Sequence, residues 1–367
     1  MKVSILQLDG KLPNLALMRV SAHHRKMGDD IFFQAASSSR VIERGLWDRY
    51  DKVYASLIFT RTKPLAKRLL EARPDAIVGG TGWEMIDGEL PILTFRARPQ
   101  TTLESIGITC KALDYSLYPA FTASIGRTQV GCSESCAFCC VRGKEPELRF
   151  ESSIRQIWRG GSHPRHIHLL DNDFFGLDGS GDESWRERIK EIKEGSFKVC
   201  FNQGVNVRKI TEETAAAIAG IRYCDDQFRV RRLYTAWDSK HDEEKLFDGL
   251  HLLFKNGVKP DNVMVYMIVG FWKDDKAPSD WEYRRKRLRA AGCRPYPMPF
   301  IEHPPSASGK PCICSECRRR RGYARWVIRR CDLFIPWNEW ERAGYQSSGL
   351  QQAQLSERAS AQLRLDL

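Results

Sequence analysis

Along residues 1 to about 115, short apolar runs alternate with amphipathic stretches. Val3 to Leu8 predicts a strand, and Leu15, Met18, Val20 and Ala22 predict the helix after it. Ile31 to Ala35 predicts a second strand, and Val53 to Phe59 and Ala76 to Val78 predict two more. Strands alternating with helices predict a parallel, doubly wound α/β domain. Gly79-Gly80-Thr81-Gly82 follows the last of these strands. Glycines there permit a tight turn and the close approach of a ligand.

Pro119 and the segment Asp114 to Tyr118 read as a connector, after which the alternation resumes in a longer series. Thr122 to Thr128 predicts a strand that leads into a cysteine-rich loop. Ser152 or Ser153 caps a helix carrying Ile154, Ile157 and Trp158 on one face. Ile167 to Leu170, Phe197 to Phe201 and Arg232 to Trp237 predict further strands. Thr211 opens a helix that stops at Gly220, and Leu246, Leu250 and Leu253 stripe another that ends at Gly257. Val263 to Phe271 predicts a central strand buried on both faces. A basic helix around Tyr283 to Ala290 and a short strand from Met298 to Ile301 close the series. Six βα units in about 180 residues predict an open, incomplete barrel, with chemistry at the C-terminal strand ends. The expected domains are 1–115, 116–303, a cysteine-rich basic region 304–345, and a flexible tail 346–367.

No apolar run approaches the roughly 18 residues that a membrane helix needs, and the chain starts straight into a strand pattern without signal-peptide features. A cytoplasmic location is therefore expected. Twelve cysteines are many for such a compartment, and clustering points to metal or catalysis rather than disulfides. Cys110, Cys200 and Cys224 are read as small buried hydrophobes. The net charge of +12 is concentrated between Trp281 and Arg330, where fourteen Lys and Arg face three Glu. That excess predicts either an anionic partner such as nucleic acid or a solvated helix face.

Cys132, Cys136 and Cys139 place three thiols within eight residues, in a loop after a predicted strand. Thiolates are soft ligands for zinc or iron–sulfur clusters. A cube of four irons held by three cysteines keeps one iron open for a small molecule. A zinc knuckle is the alternative, but it needs a fourth ligand, for which only Cys140 is near.

The Cys-x3-Cys-x2-Cys spacing, with Phe138 before the third cysteine, resembles the signature of the radical S-adenosylmethionine (radical SAM) superfamily. The N-terminal 115 residues look like the Rossmann-like, cobalamin-binding-type domain that precedes the partial (β/α)6 barrel in one large branch. The barrel is also similar to Fe–S oxidoreductase-like proteins often found in phages and prophages. The resemblance implies a 4Fe–4S cluster on Cys132, Cys136 and Cys139 that reductively cleaves S-adenosylmethionine to a 5′-deoxyadenosyl radical. It also implies a low-potential electron donor such as flavodoxin or ferredoxin. Phe138 would shield the cluster. Asp171 and Asp173 resemble the acidic motif near the methionine amino group. Gln203 and Arg208 fall where the third strand carries polar residues, Trp237 ends the fourth strand, and Gly270 lies in the adenine-supporting segment.

Each of these residues also has a plain structural reading. Asp171 and Asp173 suit helix N-caps, Arg208 suits an ion pair with a helix acid, Trp237 suits the core, and Gly270 suits a strand end. The branch's cobalt-ligating histidine is missing, because the first loop reads Asp9-Gly10-Lys11-Leu12-Pro13-Asn14. Histidine-ligated cobalamin is therefore not expected, and the N-terminal domain reads as a scaffold or substrate platform. His23 and His24 are expected at the surface of their helix.

Cys312, Cys314 and Cys317 form a second cluster, with Cys331 or Cys293 as the candidate fourth ligand. It predicts either a zinc site stapling an otherwise coreless loop or an auxiliary iron–sulfur cluster. Arg318 to Arg321 follow at once and suggest a nucleic-acid-facing ribbon. Three functions are compatible with these features: a radical SAM enzyme acting on nucleic acid or a nucleobase, one acting on a peptide or metabolite, and a non-catalytic zinc or Fe–S module that binds nucleic acid.

Overall fold

Parallel strand pairing dominates the chain, as expected where strands alternate with helices. The computed structural model describes residues 1–35, 49–85, 102–178, 184–275, 277–300 and 312–344. The tail 346–367 and the Pro304 to Pro311 stretch lie outside the described residues. The fold is mixed α/β with parallel sheets. It separates into two compact units, one built mainly from Met1–Asn172 and the other mainly from Trp185–Glu302 and the residues from Cys312 onward.

In the first unit, β1 (Lys2–Gln7), β2 (Asp30–Ala35), β3 (Lys52–Ser56) and β4 (Ile77–Gly79) form a parallel sheet in the order β2-β1-β3-β4. Residues on both faces of β1 and β3 are buried. Leu6, Leu8, Val53 and Ala55 join one apolar cluster; Val3, Ile5 and Tyr54 join another. Burial on both faces is the usual state of a parallel sheet flanked by helices. Helices α1 (Leu15–Lys26), α2 (Lys63–Ala72) and the single turn α3 (Thr81–Glu84) supply the connections. Asn14 starts α1 by accepting from the Leu17 amide.

The expectation that His24 sits at the surface is overturned. His24 is buried, with Nδ1 2.7 Å from Asp29 and Nε2 3.0 Å from the Tyr54 hydroxyl. Its partners come from the far end of the helix turn and from β3, so helix periodicity alone did not reveal them. The predicted connector is also pinned down: Asp114 bonds Ser21 and Arg25 of α1, and the Tyr118 hydroxyl donates to Gln7 and accepts from the Asn14 amide.

Still within this unit, β5 (Ser124–Gly126) leads to a hairpin of β6 (Gln129–Val130) and β7 (Arg149–Phe150). The cysteine loop and the one-turn helix α4 (Val141–Lys144) lie between the hairpin strands. The one-turn helix α5 (Ile154–Ile157) begins at a Ser153–Gln156 capping box, and β8 (His166–Leu169) then pairs parallel with β5.

The second unit contains α6 (Trp185–Glu194), β9 (Lys198–Phe201), α7 (Glu212–Ala219) and β10 (Arg222–Tyr223), with β10 parallel to β9. Then come β11 (Leu233–Ala236), α8 (Glu243–Lys255), β12 (Val263–Val269), α9 (Pro278–Ala290) and β13 (Arg294–Pro299). The three strands form a parallel sheet with β12 in the middle. Contrary to expectation, β12 is not buried on both faces. Val263, Val265, Met267 and Val269 are buried, whereas Met264, Tyr266 and Ile268 are only half-buried. On the half-buried face Tyr266 meets one tyrosine from each neighbouring strand: Tyr234 stacks on it at 5.8 Å, and Tyr296 meets it edge-on at 5.3 Å.

Beyond the second cysteine cluster the chain builds an aromatic core. Helices α10 (Ser315–Ile328) and α11 (Trp337–Arg342) bury Tyr323, Trp326, Val327, Ile335 and Trp340 against Val269 and Trp281. Their aromatic residues are spaced by helical turns and interrupted by arginines. Among the described residues, no helix is long and apolar enough to cross a membrane.

Candidate functional site

The cysteine loop hangs from a backbone that only glycine suits. Gly131 has φ +86°, and a β-carbon there would overlap the Glu147 carbonyl. The Gly131 amide donates to Glu145, which also receives Arg127 and Asn172. One carboxylate therefore gathers both ends of the loop. Within the loop, the Cys139 amide closes a turn on the Cys136 carbonyl at 3.0 Å. The Glu134 amide points at the Cys132 sulfur and the Val141 amide at the Cys139 sulfur, each at 3.4 Å. Arg142 donates to the Cys132 carbonyl. Amides aimed at sulfur favour the thiolate, the form that binds metal.

Cys132, Cys136 and Cys139 are all half-buried, as is Phe138 beside them. Burial pushes the Cys139 thiol up to about 11. The neighbouring sulfurs of Cys140, Cys136 and Cys132 push the same way, and the Val141 amide opposes them. Several thiols crowded in one loop resist ionising together unless a cation joins them. Lys144, at the end of α4, reaches the Thr81 hydroxyl at 3.0 Å. That contact ties the loop to the Gly79-Gly80-Thr81-Gly82 turn. The glycines of the turn fit close against the chain: β-carbons on Gly80 and Gly82 would overlap the backbone of Leu57 to Phe59.

Asp171 is buried and takes the Thr128 and Gln129 amides and the Thr128 hydroxyl on one oxygen. It thereby fixes the bend that leads from β5 into the loop. This is a backbone-anchoring role, related to capping but not at a helix start.

In the second unit, Asp173 is buried and Gln203 is exposed. Arg208 pairs with Asp242 at 2.8 Å, and its Nε donates to Asn206. Trp237 is fully buried and packs against Phe247 and Tyr283, with its indole N–H on the Ser239 carbonyl. Gly270 has φ +84° and lies under Arg320. Asp238 follows Trp237 just past the end of β11. It accepts from the Ile268 amide, and burial pushes its carboxyl up to about 6.

Cys312, Cys314 and Cys317 bring their sulfurs within 4.8 Å of one another, as no other three candidate ligands do among the described residues. Cys314 caps α10 and accepts from the Cys317 amide. That amide, with bonds from Cys312 and Cys317, lowers the Cys314 thiol, whereas burial pushes Cys317 up to about 12. Cys331 does not complete this group. It follows the far end of α10, a helix of 14 residues. At about 1.5 Å per residue, that end is roughly 20 Å away. Cys293 is buried just before β13 and is not in the group either.

The basic region is largely satisfied by acids outside it. Arg284 pairs with Asp275, Arg285 and Arg289 with Asp332, Arg287 with Glu243, Arg294 with Asp261 and Arg319 with Glu341. The run Arg318 to Arg321 is not one exposed ribbon. Helical geometry turns Arg320 inward, where it is buried on the Phe300 carbonyl and Glu316, and Arg321 bonds the Cys312 carbonyl. Arg318, Arg325 and Arg329 are exposed, at spacings that share a helix face.

No protein-family model matches this chain, and no curated protein matches it.

Proposed function

We propose that the chain is a radical SAM enzyme whose cluster ligands are Cys132, Cys136 and Cys139. The observation that carries the reading is the cysteine loop itself. Three half-buried thiols follow a short strand, and two of their sulfurs receive backbone amides. Their donor set suits soft metal chemistry, and the sulfurs of Cys136 and Cys132 help raise the pKa of Cys139. When bound, a 4Fe–4S cluster supplies the electron that splits S-adenosylmethionine.

The protein's own part is positional. Glu145 and Gly131 hold the base of the loop, Asp171 fixes the approach from β5, and Phe138 limits water near the sulfurs. In this reading, the first sheet is the Rossmann-like platform and the later βα units are the partial barrel. The residues present do not fit histidine-ligated cobalamin. The β1–α1 loop has no histidine, and its Asp9 is engaged by the Ile58 and Phe59 amides.

The substrate is anionic in this reading, with nucleic acid the class considered. The supporting feature is the set of exposed arginines on and just after α10, which includes Arg318, Arg325 and Arg329. Anaerobic reconstitution with iron and sulfide, followed by dithionite and S-adenosylmethionine, should yield 5′-deoxyadenosine. Cys136→Ala should abolish it, and equal yield from that variant would sink the assignment. Replacing Arg318 and Arg329 by glutamine should weaken oligonucleotide binding and flatten its salt dependence. Unchanged binding would remove nucleic acid from the proposal.

A further inference from the structure

The second cysteine group differs from the first in how closely its sulfurs approach. We infer that Cys312, Cys314 and Cys317 bind a single zinc ion through three thiolates, and that this ion anchors the start of α10. The sulfurs lie within 4.8 Å of one another. Zinc–sulfur bonds of about 2.3 Å in a tetrahedron place sulfurs roughly 3.8 Å apart, so a small inward movement seats one ion. A cube of irons would need them spread farther.

The surroundings are organised for such an ion. The Cys314 amide points at the Cys312 sulfur and the Cys317 amide at the Cys314 sulfur, each at 3.5 Å. Outer amides of this kind orient thiolate ligands and offset their charge. Cys317 is buried, and Arg321, one turn further along α10, bonds the Cys312 carbonyl and closes the loop back on the helix. Three protein ligands leave the fourth position to a further donor, which is solvent in the simplest case.

The position of the ion explains what it does. Arg320 lies three residues after Cys317, buried against Gly270 at the end of β12 and bonded to the Phe300 carbonyl after β13. The distal part of α10 is held by Tyr323, Trp326 and Val327 in the aromatic core. Its first turn has the cysteine group instead. The ion therefore fixes the end of the helix that seats Arg320 at the strand ends. This inference does not rest on the radical SAM reading, because it uses other residues and another metal.

The test is made on the full-length, unsubstituted chain, expressed with zinc and purified anaerobically. Metal analysis should find about one zinc per chain, and zinc-edge X-ray absorption should show three sulfurs at about 2.3 Å plus one lighter donor. The zinc edge is blind to iron, so loss of the first cluster leaves this result intact. Cys314→Ser with Cys317→Ser should remove the zinc, with circular dichroism checking that the rest of the chain stays folded. Zinc-free protein, zinc with fewer than three sulfurs, or zinc undiminished in the double variant would each overturn the inference. If the double variant does not fold, the sulfur count on the unsubstituted chain still decides.

Discussion

Arg320 lies across Gly270 so closely that a β-carbon on the glycine would overlap its guanidinium. The two residues are 50 positions apart, and each explains the other. Gly270 adopts φ +84°, and Arg320 is buried on the Phe300 carbonyl. Gly270→Ala should therefore destabilise the second unit twice over, through backbone strain of about 1–3 kcal/mol and through displacement of the arginine. Urea unfolding followed by circular dichroism measures this. A stability change below about 0.5 kcal/mol would contradict it.

Arg284 and Asp275 form a buried ion pair at 2.6 Å, and the guanidinium also serves the Trp237 and Ile268 carbonyls. Arg284→Met should cost about 3–5 kcal/mol, because it strands a buried carboxylate and two carbonyls. Asp275→Asn added to that variant should recover part of the loss. A double-mutant cycle reads the recovery, and strictly additive losses would show that the pair is not coupled.

His24 carries a pH signature. Burial lowers its pKa below the usual 6.5, against the opposing pull of Asp29, and Lys52 and His23 add to the lowering. The bond to Asp29, itself held low by the N-terminus and His24, makes Nδ1 the donor; neutral His24 then accepts from Tyr54 on Nε2. Above about 6.5 both folded and unfolded forms are neutral here. As pH falls below that value, the unfolded chain takes up the proton first, so stability declines until the folded form titrates. His24→Gln should flatten this slope between neutral and mildly acidic pH, as measured by denaturant midpoints. An unchanged slope would assign it to other groups.

Asp238 predicts the opposite sign. Its carboxyl is pushed up to about 6 by burial, against an ordinary value of 3.8. The folded form therefore holds a proton that the unfolded chain has released, and stability falls as pH rises from 3.8 towards 6. Carbon-13 NMR of labelled aspartate should show one carboxyl titrating near pH 6 and lost in Asp238→Asn. A full set of ordinary titrations would rule this out.

Legibility followed the range of the interaction. Local signals marked Ser153, Thr211 and the glycine after α8, and the alternation of strands and helices was readable because it repeats over short distances. The clustered cysteines were visible for the same reason. Long-range partners were hidden. His24 looked exposed because Tyr54 lies thirty residues away. Cys331 looked like a ligand because counting residues does not reveal an intervening helix. Arg318 to Arg321 looked like one surface because helical rotation, which buries Arg320, does not show in a run of like charges. The aromatic core after the second cysteine cluster also takes in Val269 and Trp281, which lie far away in the sequence.

Four of the ten tryptophans, Trp281, Trp326, Trp337 and Trp340, gather in that one aromatic core. Light emitted by this chain is thus weighted towards a single corner of the second unit. A fluorescence melt would therefore report strongly on the packing of α10 and α11, whereas circular dichroism would average the whole. Coincident signals would mean that this aromatic corner melts together with the rest of the chain.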